Sequence, residues 1–440
     1  MIDRLAALYP RHLETLKKRH DEALQATGFD RVVIFGGAQH MIFLDDNPYP
    51  FKVNPHFKSW IPVMDNPNCF LTYAPGSKPT ILFYQPVDFW HKPADNPEGH
   101  WVEHFDIQMI ATPESARQHL QGGGRTAFIG EWDTSFAEWG LENPNPQNLI
   151  DYLHYQRAWK TEYEVECMRR ANALGARGHK AAEKAFRAGA SEYEIHLQYM
   201  QACTHAEAEL PYGNIVAINE HAAVLHYQHL QRQAPAEENR HSFLIDAGTT
   251  YHGYASDITR TYSQREDEFA QLIDAVDGLQ QELCDEVKPG LDYRELQSST
   301  HRKVGKVLSD FGFISIDGDE AFERGVTAAF FPHGVGHYIG LQVHDVGGFM
   351  ADAKGTTIPK PEGQPFLRLT RVVEPGQVFT VEPGIYFIDP LLRDLRGKPE
   401  GSTVNWDKVD TFRKFGGVRI EDDLVVTETG HENLTRPHFS

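Results

Sequence analysis

Four carboxylates sit where a folding chain tolerates them least. Asp246 closes the apolar run SFLID, and Asp257 lies eleven positions on, inside the strand-like YASDITRTY. Glu382 closes QVFTVE and Glu421 closes GGVRIE, both strongly β-patterned. A charged side chain in a buried strand is costly unless it is paired or holds a cation. Any fold for this chain must carry these strand ends to solvent or gather them. The turn TTYHG between the two aspartates makes a hairpin-like reversal that can bring them side by side. Alternation also puts Asp257, Thr259 and Thr261 on one sheet face. Two carboxylates so placed repel, and one holds a proton unless a cation lies between them.

Residues 330–345, FFPHGVGHYIGLQVHD, add His333, His337 and His344 among three glycines. Gly334 and Gly336 argue against a helix and let the backbone approach a site closely. One neutral imidazole joined to four carboxylates suits two hard divalent ions sharing a bridging water. Such oxygen-rich ligation favours Mn2+ or a similar ion over thiolate-preferring metals.

Composition narrows the class. The net charge of −20 over 440 residues argues against nucleic acid as a partner. Nothing approaches the run of about 18 apolar residues that a membrane helix needs. The charged start, MIDRLAALYPRHLETLKKRH, lacks the apolar core of a secretory signal. The four cysteines are scattered without a CxxC pair, so a reduced, cytoplasmic setting is expected.

Periodicity predicts a helix over 2–26 and short strands at 31–36, 69–74 and 80–84. Residues 45–63, DDNPYPFKVNPHFKSWIPV, are too rich in proline and aromatics for a regular element and read as an ordered contact loop. ENPNPQN near residue 145 has the turn chemistry of a boundary. Beyond it, Thr161 with Glu164 and Ser191 with Glu194 are capping boxes that open helices. A third helix is expected over 267–287, and strands over 242–247, 254–262, 377–382 and 417–426. The expected fold is α+β: a small α/β domain over 1–158, then an α+β domain over 159–440 built on a mainly antiparallel sheet.

The ordered segments IDAG, SDITRT, PHGVGH, VEPG and GGVRIED resemble the metal-dependent pita-bread peptidases, which include methionine aminopeptidase, aminopeptidase P and prolidase. FLDDNPYPFKVNPHFKSWIPV, PYGNIVAINEHAAVLHY and GLQVHDVGGFM bring the likeness closest to bacterial Xaa-Pro dipeptidases. That subgroup also hydrolyses organophosphorus esters and fluoridates.

The resemblance implies a curved pita-bread sheet covered by helices. It implies two divalent ions, Mn2+ being the expected one, held by Asp246, Asp257, His337, Glu382 and Glu421, with Asp257 and Glu421 bridging. His226, His333 and His344 would line the substrate site, and Arg419 would face the substrate carboxylate. Tyr212, Leu225, Tyr293, Val343 and Leu367 would form pocket walls. The family is commonly dimeric, so the N-terminal domain would mediate a homodimer, and Asp45 would reach the active site of a second copy. The implied reaction is hydrolysis of Xaa-Pro dipeptides with trans peptide bonds by a metal-bridging hydroxide, Glu382 shuttling the proton. Organophosphorus triesters and fluoridates would be side substrates. The competing readings are an Xaa-Pro aminopeptidase on longer peptides, and a metal-free pita-bread hydrolase or binding module.

Overall fold

The computed structural model describes residues 4–122 and 124–439, in two compact units. The first comprises Met1–Cys167 with His252–Tyr254 and Asp352–Thr356. Its opening helix α1 (Arg4–Thr27) buries Leu5, Tyr9, Leu13, Leu16, His20 and Leu24, a spacing of three or four that defines one face. Six strands form one mixed sheet: β1 (Arg31–Phe35), β2 (Phe70–Tyr73), β3 (Thr80–Tyr84), β4 (Asp106–Ile110), β5 (Thr126–Ile129) and β6 (Asn143–Pro144). Their order is β4-β3-β2-β1-β5-β6, with β1 parallel to β5 and antiparallel to β2. The proline-rich loop expected over 45–63 contains one helical turn, Pro55–Lys58, capped by the Asn54 side chain.

The second unit comprises Met168–Tyr251, Ala255–Ala351 and Thr357–Ser440. Both expected capping boxes form. The Thr161 N–H donates to Glu164 Oε2 (2.8 Å), which opens α2 (Glu162–Arg187). Ser191 and Glu194 cap each other at the start of α3 (Glu192–Cys203). Three antiparallel strands follow in the order β9-β8-β7: β7 (Ile215–Ile218), β8 (Ser242–Asp246) and β9 (Thr259–Ser263). Phe243 and Ile245 of β8 pack with Phe186, Ile195 and Tyr199 of the two helices. Each large side chain so buried contributes roughly 2–3 kcal/mol. The two-residue period then turns Ser242, Leu244 and Asp246 to the opposite face. That fixes the direction of Asp246.

Helix α4 (Glu268–Glu286) begins where Asp267 accepts from the N–H groups of Phe269 and Ala270. A further helix, α5 (Tyr293–Asp310), was not anticipated from the sequence. Its signal was Asp292, which caps it directly after the Pro289-Gly290 stop.

The remaining strands explain the two glutamates. β10 (Val378–Val381) and β11 (Gly384–Tyr386) are separated by Glu382-Pro383. Pro383 has no N–H to continue a ladder, and the Glu382 N–H instead donates to Val335 O (2.8 Å). The single strand expected over 417–426 is two, β12 (Gly417–Arg419) and β13 (Asp422–Val426). β12 pairs with β11, whereas β13 pairs with β10 and β14 (His431–Asn433). The chain changes partner at Glu421, whose N–H donates to Thr259 O (3.1 Å). The strand expected over 254–262 is likewise two, Tyr254–Ala255 and β9 from Thr259, and Asp257 lies in the break between them.

Candidate metal and peptide site

All five acids and imidazoles expected to ligate metal line one cavity of about 700 Å³ in the second unit. Asp257, His337 and Glu421 each offer a ligand atom within 4.8 Å of the others, the one such group of three among the described residues. His337 Nε2 lies 3.4 Å from Asp257 Oδ2 and 3.6 Å from Glu382 Oε1. Asp246 joins them through Tyr212, whose hydroxyl donates to Asp246 Oδ1 (2.8 Å) and contacts Asp257 Oδ1.

The imidazoles are oriented locally. His337 Nδ1 donates to Tyr338 O (3.0 Å), leaving Nε2 to face the carboxylates. His333 Nδ1 donates to Gly334 O (2.8 Å), so its Nε2 accepts from the Tyr386 hydroxyl (2.8 Å). Gly336 allows His337 to be held this way. A Cβ there would overlap the Thr380 carbonyl and come within 2.5 Å of Tyr293 Oη, while the His337 and Thr380 backbones are hydrogen-bonded.

The charges are frustrated as they stand. Burial pushes the Asp246 carboxyl up to about 6, with Asp257 adding to it and Arg419 opposing. Burial and the neighbouring carboxylates raise Glu382 to about 7 and Glu421 well above the ordinary range. Asp257 is lowered: burial opposes this, but His337 and Tyr212 outweigh it. His337 is lifted to about 9 against its burial by Asp257 and Glu382. Three buried acids with raised pKa around one imidazole, without thiolates, are a donor set that hard divalent cations would relieve. The residues fit a metal centre.

Arg419 also lines the cavity. It is 4% exposed, and its three nitrogens donate to Thr259 Oγ1 (3.1 Å), Tyr386 Oη (2.9 Å) and Asp246 Oδ2 (2.7 Å). The cavity has another cation, Arg368, exposed and without an ion pair among the described residues. Leu225, His226 and His344 also line it, and His344 stands edge-on to His337 at 4.3 Å between ring centroids. Tyr293 and Leu367 do not. Both are fully buried, Tyr293 donating to Thr380 O (3.1 Å) and Leu367 backing Gly334. Val343 is half-buried and outside the lining. Tyr293 and Leu367 back the lining at Gly336 and Gly334, and Tyr212, also outside the lining, stands against Asp246 and Asp257. Asp45 lies exposed in the first unit, where its Oδ1 accepts from the Asn47 backbone (3.0 Å) and side chain (2.9 Å).

Sequence reading missed Arg368, a lone arginine in the irregular FLRLT. It also missed Tyr386, whose role shows only when His333 and Arg419 converge on its hydroxyl.

Residues 166–428 match metallopeptidase family M24, and residues 7–155 match the Xaa-Pro dipeptidase N-terminal domain. The chain belongs to family M24. This M24 chain is 52% identical to the Xaa-Pro dipeptidase of Aeromonas hydrophila over 430 residues, covering 98% of each. It is 52% identical to that of Stenotrophomonas maltophilia over 436 residues, covering 99% of this chain and 98% of the relative. Its fold is similar to zinc-substituted Escherichia coli aminopeptidase P in complex with product, with TM-score 0.72 and 24% identity over 98% of this chain and 95% of that one. Pseudomonas aeruginosa aminopeptidase PepP gives 0.74 and 24% over 99% and 96%. These M24 neighbours bear out the expected pita-bread architecture.

Proposed function

We propose that the chain is a two-cation dipeptidase that hydrolyses Xaa-Pro dipeptides. The observation that carries this reading is the convergence of Asp257, His337 and Glu421, with Asp246 and Glu382, in one cavity. The 52% identity to Xaa-Pro dipeptidases over nearly the full length supports the substrate class. Asp246, Asp257, His337, Glu382 and Glu421 would hold the ions, and their oxygen-rich character favours Mn2+. Bound there, two cations acidify the attacking water and polarise the scissile carbonyl.

The chain's own groups do the rest. Glu382, which lines the cavity beside His337, takes the proton of the attacking water and delivers it to the proline nitrogen as the C–N bond breaks. His344 and His226, at the cavity surface, donate to the developing oxyanion. Arg368 meets the substrate carboxylate, where a bidentate ion pair is strong. Arg419 holds Asp246 and Tyr386 in place and adds positive charge beneath the carboxylate. A bond before proline has no N–H, so the site needs shape around the ring, which Leu225 and the flanking walls supply.

Hydroxide attack at phosphorus passes through a similarly crowded anion, so organophosphorus triesters and fluoridates are side substrates in this reading. A homodimer is part of it: Met41, Phe43 and Leu44 beside Asp45 are 58%, 84% and 92% exposed, as a surface awaiting a second copy would be. Asp45 of the partner subunit would then complete the site. Four free, buried cysteines support a cytoplasmic setting.

The test is hydrolysis of Gly-Pro with and without added Mn2+, in the wild type and in Asp257→Asn. Activity that needs Mn2+ and falls at least a hundredfold in the variant is expected. A variant as active as the parent overturns the reading. Faster cleavage of Gly-Pro-Ala than of Gly-Pro would assign an aminopeptidase instead.

A further inference from the structure

Asp423 has no part in the chemistry above, yet it is fully buried behind Asp257. Its Oδ2 accepts from the Asp257 backbone N–H (3.2 Å) and from Asn172 Nδ2 (2.8 Å). Two residues away, the Glu421 N–H donates to Thr259 O (3.1 Å), and the Thr259 hydroxyl donates to Glu421 Oε2 (2.7 Å). Residues 257 and 423, and 259 and 421, therefore stand opposite each other as in an antiparallel ladder.

The ladder cannot continue by backbone alone. The Asp423 carbonyl is taken by the Leu434 N–H (2.8 Å), and residue 423 pairs with Thr380 of β10. Its side chain supplies the acceptor that the backbone cannot. Around it the network closes: Asp423 N–H donates to Thr435 Oγ1 (2.9 Å), which donates to Asn172 Oδ1 (2.6 Å). Asn172 is anchored in α2 by a bond from its Nδ2 to Met168 O (3.0 Å). Asp423 Oδ1 has no partner among the described residues.

We propose that Asp423, held by Asn172, is a positioning residue that fixes Asp257 against Glu421 and so sets the affinity of the centre for its second cation. Outer groups that orient ligands commonly change metal affinity by about 10–100-fold. The inference rests on the two-cation reading above.

The test is calorimetric titration of the purified full-length chain with Mn2+, with electron paramagnetic resonance of the loaded protein as a second readout. The wild type is expected to bind two ions and give a spin-coupled spectrum. Asp423→Ala is expected to bind the second ion at least tenfold more weakly, to lose the coupling, and to lower kcat on Gly-Pro with little change in KM. Asp423→Asn keeps an acceptor oxygen in place and puts its amide where Oδ1 now lies unbonded. It should stay within threefold of the wild type. Two wild-type affinities in Asp423→Ala, or an Asn variant as weak as the Ala one, overturn this inference alone. If Asp423→Ala does not fold, Asn172→Ala carries the test, with at least threefold weakening expected and wild-type affinity overturning it. A wild-type chain that binds fewer than two ions overturns the two-cation reading and this inference with it.

Discussion

Arg419 donates to Asp246 Oδ2 at 2.7 Å, and both side chains are largely withdrawn from water, at 4% and 14% exposure. Removing one member of such a pair leaves an uncompensated charge and costs about 3 kcal/mol or more. Arg419→Met is therefore expected to unfold earlier in urea and to lose at least a hundredfold in kcat/KM on Gly-Pro. Parental stability and activity in this variant would refute the structural reading of the pair.

Arg368 is the opposite case. It is exposed and serves no buried partner among the described residues, so Arg368→Ala should leave thermal stability unchanged. A lost charge-assisted contact of about 1.5–3 kcal/mol raises KM for Gly-Pro about 10–100-fold with kcat little altered. Steady-state kinetics of the two arginine variants, compared directly, separate the roles.

The raised carboxyls make the metal-free protein pH-sensitive. Asp246 at about 6 and Glu382 at about 7 are protonated more readily folded than unfolded. Their contribution is fully present below about pH 4 and is lost as pH rises through these values. A bound cation favours the ionised forms instead and removes that loss. The rise in melting temperature on adding Mn2+ should therefore be larger at pH 8 than at pH 6. A pH-independent rise would contradict the assigned titrations.

Two imidazoles outside the centre act in the other direction. Burial lowers His20 to about 4 and His301 to about 4. Each stays neutral in the fold while the unfolded chain takes up a proton below about 6.5. Stability is thus fully present above that pH and is lost as pH falls towards 4, by on the order of 3 kcal/mol per residue. Urea unfolding at pH 7.5, 6 and 5 should show the fall, and it should be shallower in His301→Gln.

Gly336→Ala tests the close approach at His337. The added methyl group meets the Thr380 carbonyl and Tyr293 Oη, so a loss of about 3 kcal/mol is expected from overpacking. Weaker Mn2+ binding should accompany it.

Local rules made much of this legible in sequence. Apolar periodicity gave α1, and the capping boxes gave the starts of α2 and α3. The strand breaks at Glu382 and Glu421 were harder to see, because each depends on a distant partner, Val335 O and Thr259 O. Tyr293 and Leu367 are apolar-bodied residues whose burial depends on which segment covers them, and no spacing encodes that. Arg368 sits in an irregular loop without periodicity, so only the cavity reveals it.

His333 and His337 each commit Nδ1 to the carbonyl of the very next residue, Gly334 and Tyr338. Tautomer choice is thereby written into a two-residue unit, independent of whatever else touches the rings. Loops around the cavity can diverge in shape without flipping either imidazole, and that leaves selectivity free to drift while the reactive core keeps its polarity.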